Sequence, residues 1–108
     1  MIDESIVMTQ NFSDDKLVKL ILGRKGGKTT TKIMDELLIS PKNKNNIANK
    51  LNLDYNTITY HLDLMYKYDY VKKEKFECVT LYYPSNKLYE NIDEYMKLKE
   101  YLLEKLER

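Results

Sequence analysis

The stretch from Asn46 to Val71, NIANKLNLDYNTITYHLDLMYKYDYV, constrains the fold more than any other part of this 108-residue chain. Ile47, Ala48 and Leu51 recur at helical spacing, Leu53 and Asp54 interrupt the run, and Ile58, Leu62 and Met65 resume it. Asp54 has the side chain of an N-cap. The pattern predicts a short helix over about Lys44–Leu51, a turn, and a longer helix over about Tyr55–Tyr68. Ala48 suits two helices that cross closely. Asp69 is expected to end the longer helix, at a position that favours positive φ.

The flanking segments complete the picture. Leu17, Val18, Ile21 and Leu22 give a helix over Lys16–Leu22, with Ser13 or Asp14 as its cap. Ile33, Met34, Leu37 and Leu38 give a second over Thr29–Ile39, capped by one of Thr29, Thr30 or Thr31 and stopped by Pro41. Between them lies GRKGGKT, Gly23 to Thr29. It lacks the first glycine of a nucleotide-binding phosphate loop, since Leu22 stands in that place, and is expected to be a flexible basic loop. Two runs rich in β-branched and aromatic residues, Tyr70–Glu74 and Cys78–Tyr83, predict a hairpin with Cys78 as a small buried side chain. From Ser85 to Arg108 the spacing is helical again. Leu88, Ile92, Tyr95, Leu102 and Leu106 form a stripe with Lys99 in the vacant place, widened by Met96 and Leu103.

The expected fold class is therefore mainly α, a winged helix-turn-helix with a three-helix core, a two-stranded wing and an added C-terminal helix. Residues 1–13 are expected to be an arm or tail, 14–84 the winged helix-turn-helix, and 85–108 a dimerisation helix. A helix that long exceeds what so small a core can cover, which points its face (Leu88, Ile92, Tyr95, Met96, Leu102, Leu103 and Leu106) toward a second copy; the alternative is a helix folded back on its own domain.

The charge distribution suggests the partner. The net charge is only +1, yet Lys16 to Lys50 carries nine basic residues against Asp35 and Glu36. A basic half that contains the helix-turn-helix can face phosphate without a high overall charge. On that reading Tyr55, Asn56, Thr57, Thr59 and Tyr60 read bases in the major groove, where a helix fits and short polar side chains reach base edges. Lys42, Lys44, Lys50, His61, Lys72, Lys73 and Lys75 would contact phosphates. Lys67 lies too late in its helix for pairing with guanine. The rival is a winged-helix module that binds protein within a transcription or repair complex, with Tyr66, Tyr68, Tyr70, Tyr82 and Tyr83 partly exposed for docking. No residues are placed for catalysis, so an enzyme is not expected. No cofactor is called for, and a lone His61 and lone Cys78 do not make a metal site. No signal-like run or long apolar stretch occurs, and a cytoplasmic location is expected.

From Ile47 through Leu51, Leu53, Tyr55, Thr57, Ile58, His61, Leu62, Met65, Asp69, Tyr70 and Val71, the sequence resembles the ArsR-like winged helix-turn-helix regulators of archaea and bacteria. The resemblance extends over roughly 30–83. It implies a sequence-specific, homodimeric transcription regulator, usually a repressor, with dimer contacts from terminal helices. Relatives of this group that sense metals use cysteine pairs on the reading helix or ligand sets at the termini. No cysteine lies between Tyr55 and Tyr68, so the archaeal, non-metal-sensing type is expected. Whether a small effector binds is left open.

Overall fold

The computed structural model describes residues 15–106. Helix α1 (Asp15–Ile21) is followed by α2 (Gly27–Ile39), α3 (Lys44–Leu51) and α4 (Tyr55–Lys67). The hairpin β1 (Val71–Phe76) and β2 (Val79–Pro84) comes next, then α5 (Asn86–Glu90) and α6 (Ile92–Leu106). The architecture is the expected one, a mainly α fold with a helical core, a two-stranded antiparallel wing and C-terminal helices. The expected caps of α1, Ser13 and Asp14, and the arm over 1–13 lie outside the described residues.

The turn between α3 and α4 is built by three local devices. Asn43 caps α3, its side chain accepting from the Asn46 amide at 2.8 Å. Asn52 ends α3 in the left-handed region, φ 54°, a conformation that asparagine tolerates better than most residues. Asp54 then caps α4 through the Asn56 amide at 2.9 Å. Ile47 and Ala48 of α3 and Ile58, Leu62 and Met65 of α4 are buried in one cluster. Asp69 does adopt positive φ, 70°. Its carbonyl accepts the Ser85 hydroxyl at 2.6 Å, which joins the end of the helix-turn-helix to the cap of α5.

The hairpin is longer than the sequence suggested, pairing Val71 with Pro84 through to Phe76 with Val79. Only Glu77 and Cys78 are left in the turn. Glu77 carries the positive φ (56°) that tight hairpins demand, although glycine or asparagine would do so at less cost. Cys78 is therefore exposed at the wing tip and is not the buried strand residue expected. Lys42 pairs with Tyr82 through two backbone hydrogen bonds of 3.1 and 2.8 Å, which ties the α2–α3 connection to the wing.

Two expectations need correction here. The GRKGGKT loop is a close-packed turn, and α2 begins at Gly27, before any of the three threonines. A Cβ on Gly27 would collide with the Ile21 carbonyl oxygen and touch Leu102, so glycine permits α1, α2 and α6 to meet. Thr30 and Thr31 are buried in the body of α2 instead of capping it.

The second correction concerns the C-terminal segment. It is two helices, broken at Asn91, and it folds back onto α1 and α2. Leu88, Tyr95 and Leu102, expected at a dimer seam, are buried in the chain's own core, and Ile92 packs against it. The stripe runs through Leu98, fully buried, and not through Lys99. Lys99 instead pairs with Asp35 of α2 at 3.2 Å. The Tyr95 hydroxyl lies 2.8 Å from Asp35 Oδ1 and 3.1 Å from the Thr31 carbonyl oxygen, acceptors for its one proton. Burial, and then the Asp35 carboxylate, hold that phenol protonated, well above its ordinary range. Only Met96, Leu103 and Leu106 of the expected seam remain exposed. Residues 85–106 thus complete the core of the winged helix-turn-helix and are not an appendage to it.

The fold-back has an energetic signature. Leu98→Ala should lower the stability to urea unfolding by about 2–5 kcal/mol, the cost of a buried cavity. Tyr95→Phe should cost about 1–3 kcal/mol by removing the buried hydroxyl's hydrogen bond to the Asp35 carboxylate. A free C-terminal helix would show neither loss.

Candidate nucleic-acid interface

Burial of Ile58, Leu62 and Met65 on one side of α4 dictates what its other side presents. Residues 56, 60, 63 and 67 are spaced four, three and four apart, so they lie on one stripe opposite the buried one. Asn56, Tyr60, Asp63 and Lys67 are all exposed there. Tyr60 is the most open of the aromatic rings on this helix, at 60% exposure. Lys67, too late in the helix by sequence position, shares this stripe, about 16 Å of helix from Asn56.

One flank of the stripe adjoins the start of α3 and the wing. Tyr55 is half open, with the Lys44 ammonium 5.6 Å from its ring centre and 5.9 Å from that of Tyr82. Asn43, Lys44, Asn45, Tyr55, Thr80 and Tyr82 border a polar hollow between α3, α4 and β2. Lys73 of β1 sits over the Tyr66 ring at 4.6 Å, fixing the wing against α4. Lys50 and Lys75 are exposed. Lys72 is exposed too but bonded to Asp69 at 2.7 Å, which holds the Asp69 carboxyl below its ordinary range.

Three residues expected at this surface are placed elsewhere. Lys42 turns inward and donates to the Glu36 carbonyl oxygen at 2.7 Å, with the Glu36 carboxylate at 3.7 Å. Its ammonium serves the end of α2. The Thr59 hydroxyl is enclosed without a hydrogen-bond partner among the described residues and offers nothing to a base. Thr57, by contrast, remains partly exposed.

His61 is the third, and the most informative. It is buried, 5% exposed, under the far flank of α4. Its Nδ1 lies 3.3 Å from both Arg24 Nη2 and the Thr30 hydroxyl, and Arg24 also donates to that hydroxyl. Arginine can only donate, so Nδ1 faces it as a lone pair and the ring is neutral with its proton on Nε2. Desolvation and then the neighbouring guanidinium hold the imidazole pKa below its ordinary value of 6.5. Burial also lowers the Arg24 pKa from its ordinary value. A Cβ on Gly26 would strike both Arg24 and His61, which explains the second glycine of the loop. The sequence carried the parts of this cluster, a cation and glycines before α2 and a histidine beside a core leucine, but no spacing that joins positions 24 and 61.

Neither a family model nor a curated protein matches the sequence. Solved structures do match the fold. A cysteine-to-serine mutant of Lactococcus lactis ZitR superposes with a TM-score of 0.60 at 20% identity, over 97% of this chain and 77% of that one. Wild-type ZitR in complex with DNA gives 0.59 at 19%, over 96% and 75%. The adhesin competence repressor AdcR of Streptococcus pyogenes gives 0.57 at 17%, over 97% and 75%. The fold is shared with bacterial proteins. That overturns the archaeal, non-metal-sensing assignment made from the resemblance, because these bacterial structures match nearly the whole chain, including the helices after the wing. The lack of cysteine on α4 therefore does not sort this chain into a branch. Among the described residues, no three His, Cys, Asp or Glu side chains converge as a metal site. No described helix is long and apolar enough to cross a membrane.

The buried histidine predicts a pH response. Its folded pKa lies below the unfolded value, so its contribution to stability is complete above about pH 6.5 and is lost as pH falls through the folded value. The urea midpoint should therefore fall on acidification from about pH 7.5 to about 5.5, and His61→Gln should flatten that slope. An unchanged slope in the variant would place the response elsewhere.

Proposed function

We propose that the chain is a sequence-specific double-stranded DNA-binding regulator of transcription, acting as a homodimer in the cytoplasm, with α4 in the major groove. The observation that carries this reading is the stripe of Asn56, Tyr60, Asp63 and Lys67, held outward by a fully buried opposite face and bordered by lysines. The fold shared with ZitR, solved with DNA, and with the repressor AdcR supports it, and repression is the direction proposed.

In this arrangement Asn56 pairs with adenine, and Asp63 accepts from a cytosine amino group. Tyr60 packs on a thymine methyl or reaches a phosphate. Tyr55 and Thr57 border the groove. Lys44 and Lys50 take the phosphates beside α4, and Lys73 and Lys75 those under the wing, with Lys72 available once it leaves Asp69. The protein-binding alternative draws no support from its aromatic run. Tyr70 and Tyr82 are buried and Tyr68 and Tyr83 half-buried, which leaves Tyr66 as the one exposed ring of the five, with the Lys73 ammonium over it.

The dimer proposal rests on what α6 leaves uncovered. Met96 and Leu103 are exposed on one flank of the core stripe of α6. Two copies joined there would present two reading helices to half-sites roughly 34–36 Å apart.

Fluorescence anisotropy on duplex from the chain's own upstream region, against a scrambled duplex at two salt concentrations, tests the function. Tyr60→Ala should weaken native-site binding roughly tenfold or more and erase the preference over the scramble. Lys75→Ala should weaken both duplexes alike and reduce the salt slope by about one, whereas Lys42→Ala should leave that slope unchanged. Equal binding to both duplexes that ignores Tyr60→Ala would refute sequence reading. Separately, sedimentation should give a dimer for the native chain and a monomer for Leu103→Glu, with helix content retained.

A further inference from the structure

A second surface, away from the face that α4 presents, has a composition the DNA reading does not use. Between the end of α1, the α1–α2 turn and the end of α6 runs a groove of about 510 Å³. Leu22, Leu102 and Leu106 supply its apolar lining, and Arg24, Lys25, Lys28 and Lys105 its charge. No acidic side chain is among the described residues lining it. Lys28 stands in the first turn of α2, whose N-terminus carries no side-chain cap. The partial positive charge of that helix end adds to the lysines.

The chemistry of the lining selects a ligand class. Arg24, Lys25 and Lys28, with no carboxylate among the described residues of the lining, favour an anion, and the leucines favour an apolar body on the same molecule. The apolar side chains are all aliphatic, so an alkyl chain fits the lining better than a ring that would stack. The size lies in the range that small-molecule sites occupy.

We propose that this groove binds a medium-chain alkyl carboxylate, its head group held by Lys25 and Lys28 and its chain laid over Leu22, Leu102 and Leu106. Arg24 gives the site a route to α4. The guanidinium that lines the groove also bonds Thr30 and faces His61 Nδ1 beneath α4. A carboxylate that draws Arg24 toward the groove weakens those contacts, and each ligand then changes the affinity for the other by the same factor. This coupling rests on the DNA-binding reading. The ligand site itself does not.

Calorimetry of the full chain without DNA tests the site, using octanoate, octylammonium and acetate as probes. The expected result is saturable octanoate binding, one per protomer, with octylammonium and acetate at least about tenfold weaker. The double variant Lys25→Gln/Lys28→Gln should lose octanoate affinity by about tenfold or more while keeping its urea midpoint, and Leu106→Ser should weaken it as well. Equal binding of octanoate and octylammonium, or binding indifferent to the double variant, would overturn the site. Anisotropy on DNA then reads the coupling. Octanoate should shift native-site affinity in the unmodified chain and not in the double variant. Octanoate binding with no shift, on a chain that does bind its DNA, would overturn the coupling alone.

Discussion

The burial of Ile58, Leu62 and Met65 in the common core is the constraint on which the rest of the candidate interface depends. A helix that commits three side chains on one face to close packing has no rotational freedom left. Every outward direction on α4 follows from that commitment. So does the placing of its two flanks, one against the wing and the other against the α1–α2 turn. The core that enforces it is completed by Leu88, Tyr95, Leu98 and Leu102 from beyond the wing. The orientation of α4, midway along the chain, is thus secured by apolar contacts contributed from beyond the wing.

Much of this was legible in the sequence where the determining physics is local. The boundaries of α3, the cap by Asp54 and the positive φ at Asp69 depend on neighbours a few residues away, and the sequence pattern carries all three. What could not be read is contact across the chain. Lys99 and Leu98 are adjacent, and a strict four-and-three count selects the lysine. Only the position of Asp35 on α2 explains why the lysine sits at the edge and the leucine inside. Lys42 looks in sequence like any surface cation, and its inward turn is set by the Glu36 carbonyl and by the bridge to Tyr82. Cys78 reads as a strand residue by composition, and only the hairpin register moves it into the turn.

The α1–α2 turn shows the same division. Three glycines and two cations between helices resemble a mobile connection, since glycine is as often a sign of freedom as of crowding. Here crowding decides. Gly26 and Gly27 are small because Arg24, His61, Ile21 and Leu102 come close. The segment that looked least structured brings α1, α2, α4 and α6 to one junction, and a buried neutral histidine records how little solvent reaches it.

The wing carries a hazard as well as a surface. Within the described residues β1 pairs only with β2, and its other edge presents open backbone donors and acceptors. An open edge invites a strand from another molecule. Lys72, Lys73 and Lys75 punctuate it, and only Val71 at its foot is buried. Charge repulsion between two such edges keeps the chains from joining sheet to sheet. The lysines of β1 therefore guard the solubility of the folded protein, so neutralising them together would remove a barrier to aggregation along with any contact to phosphate.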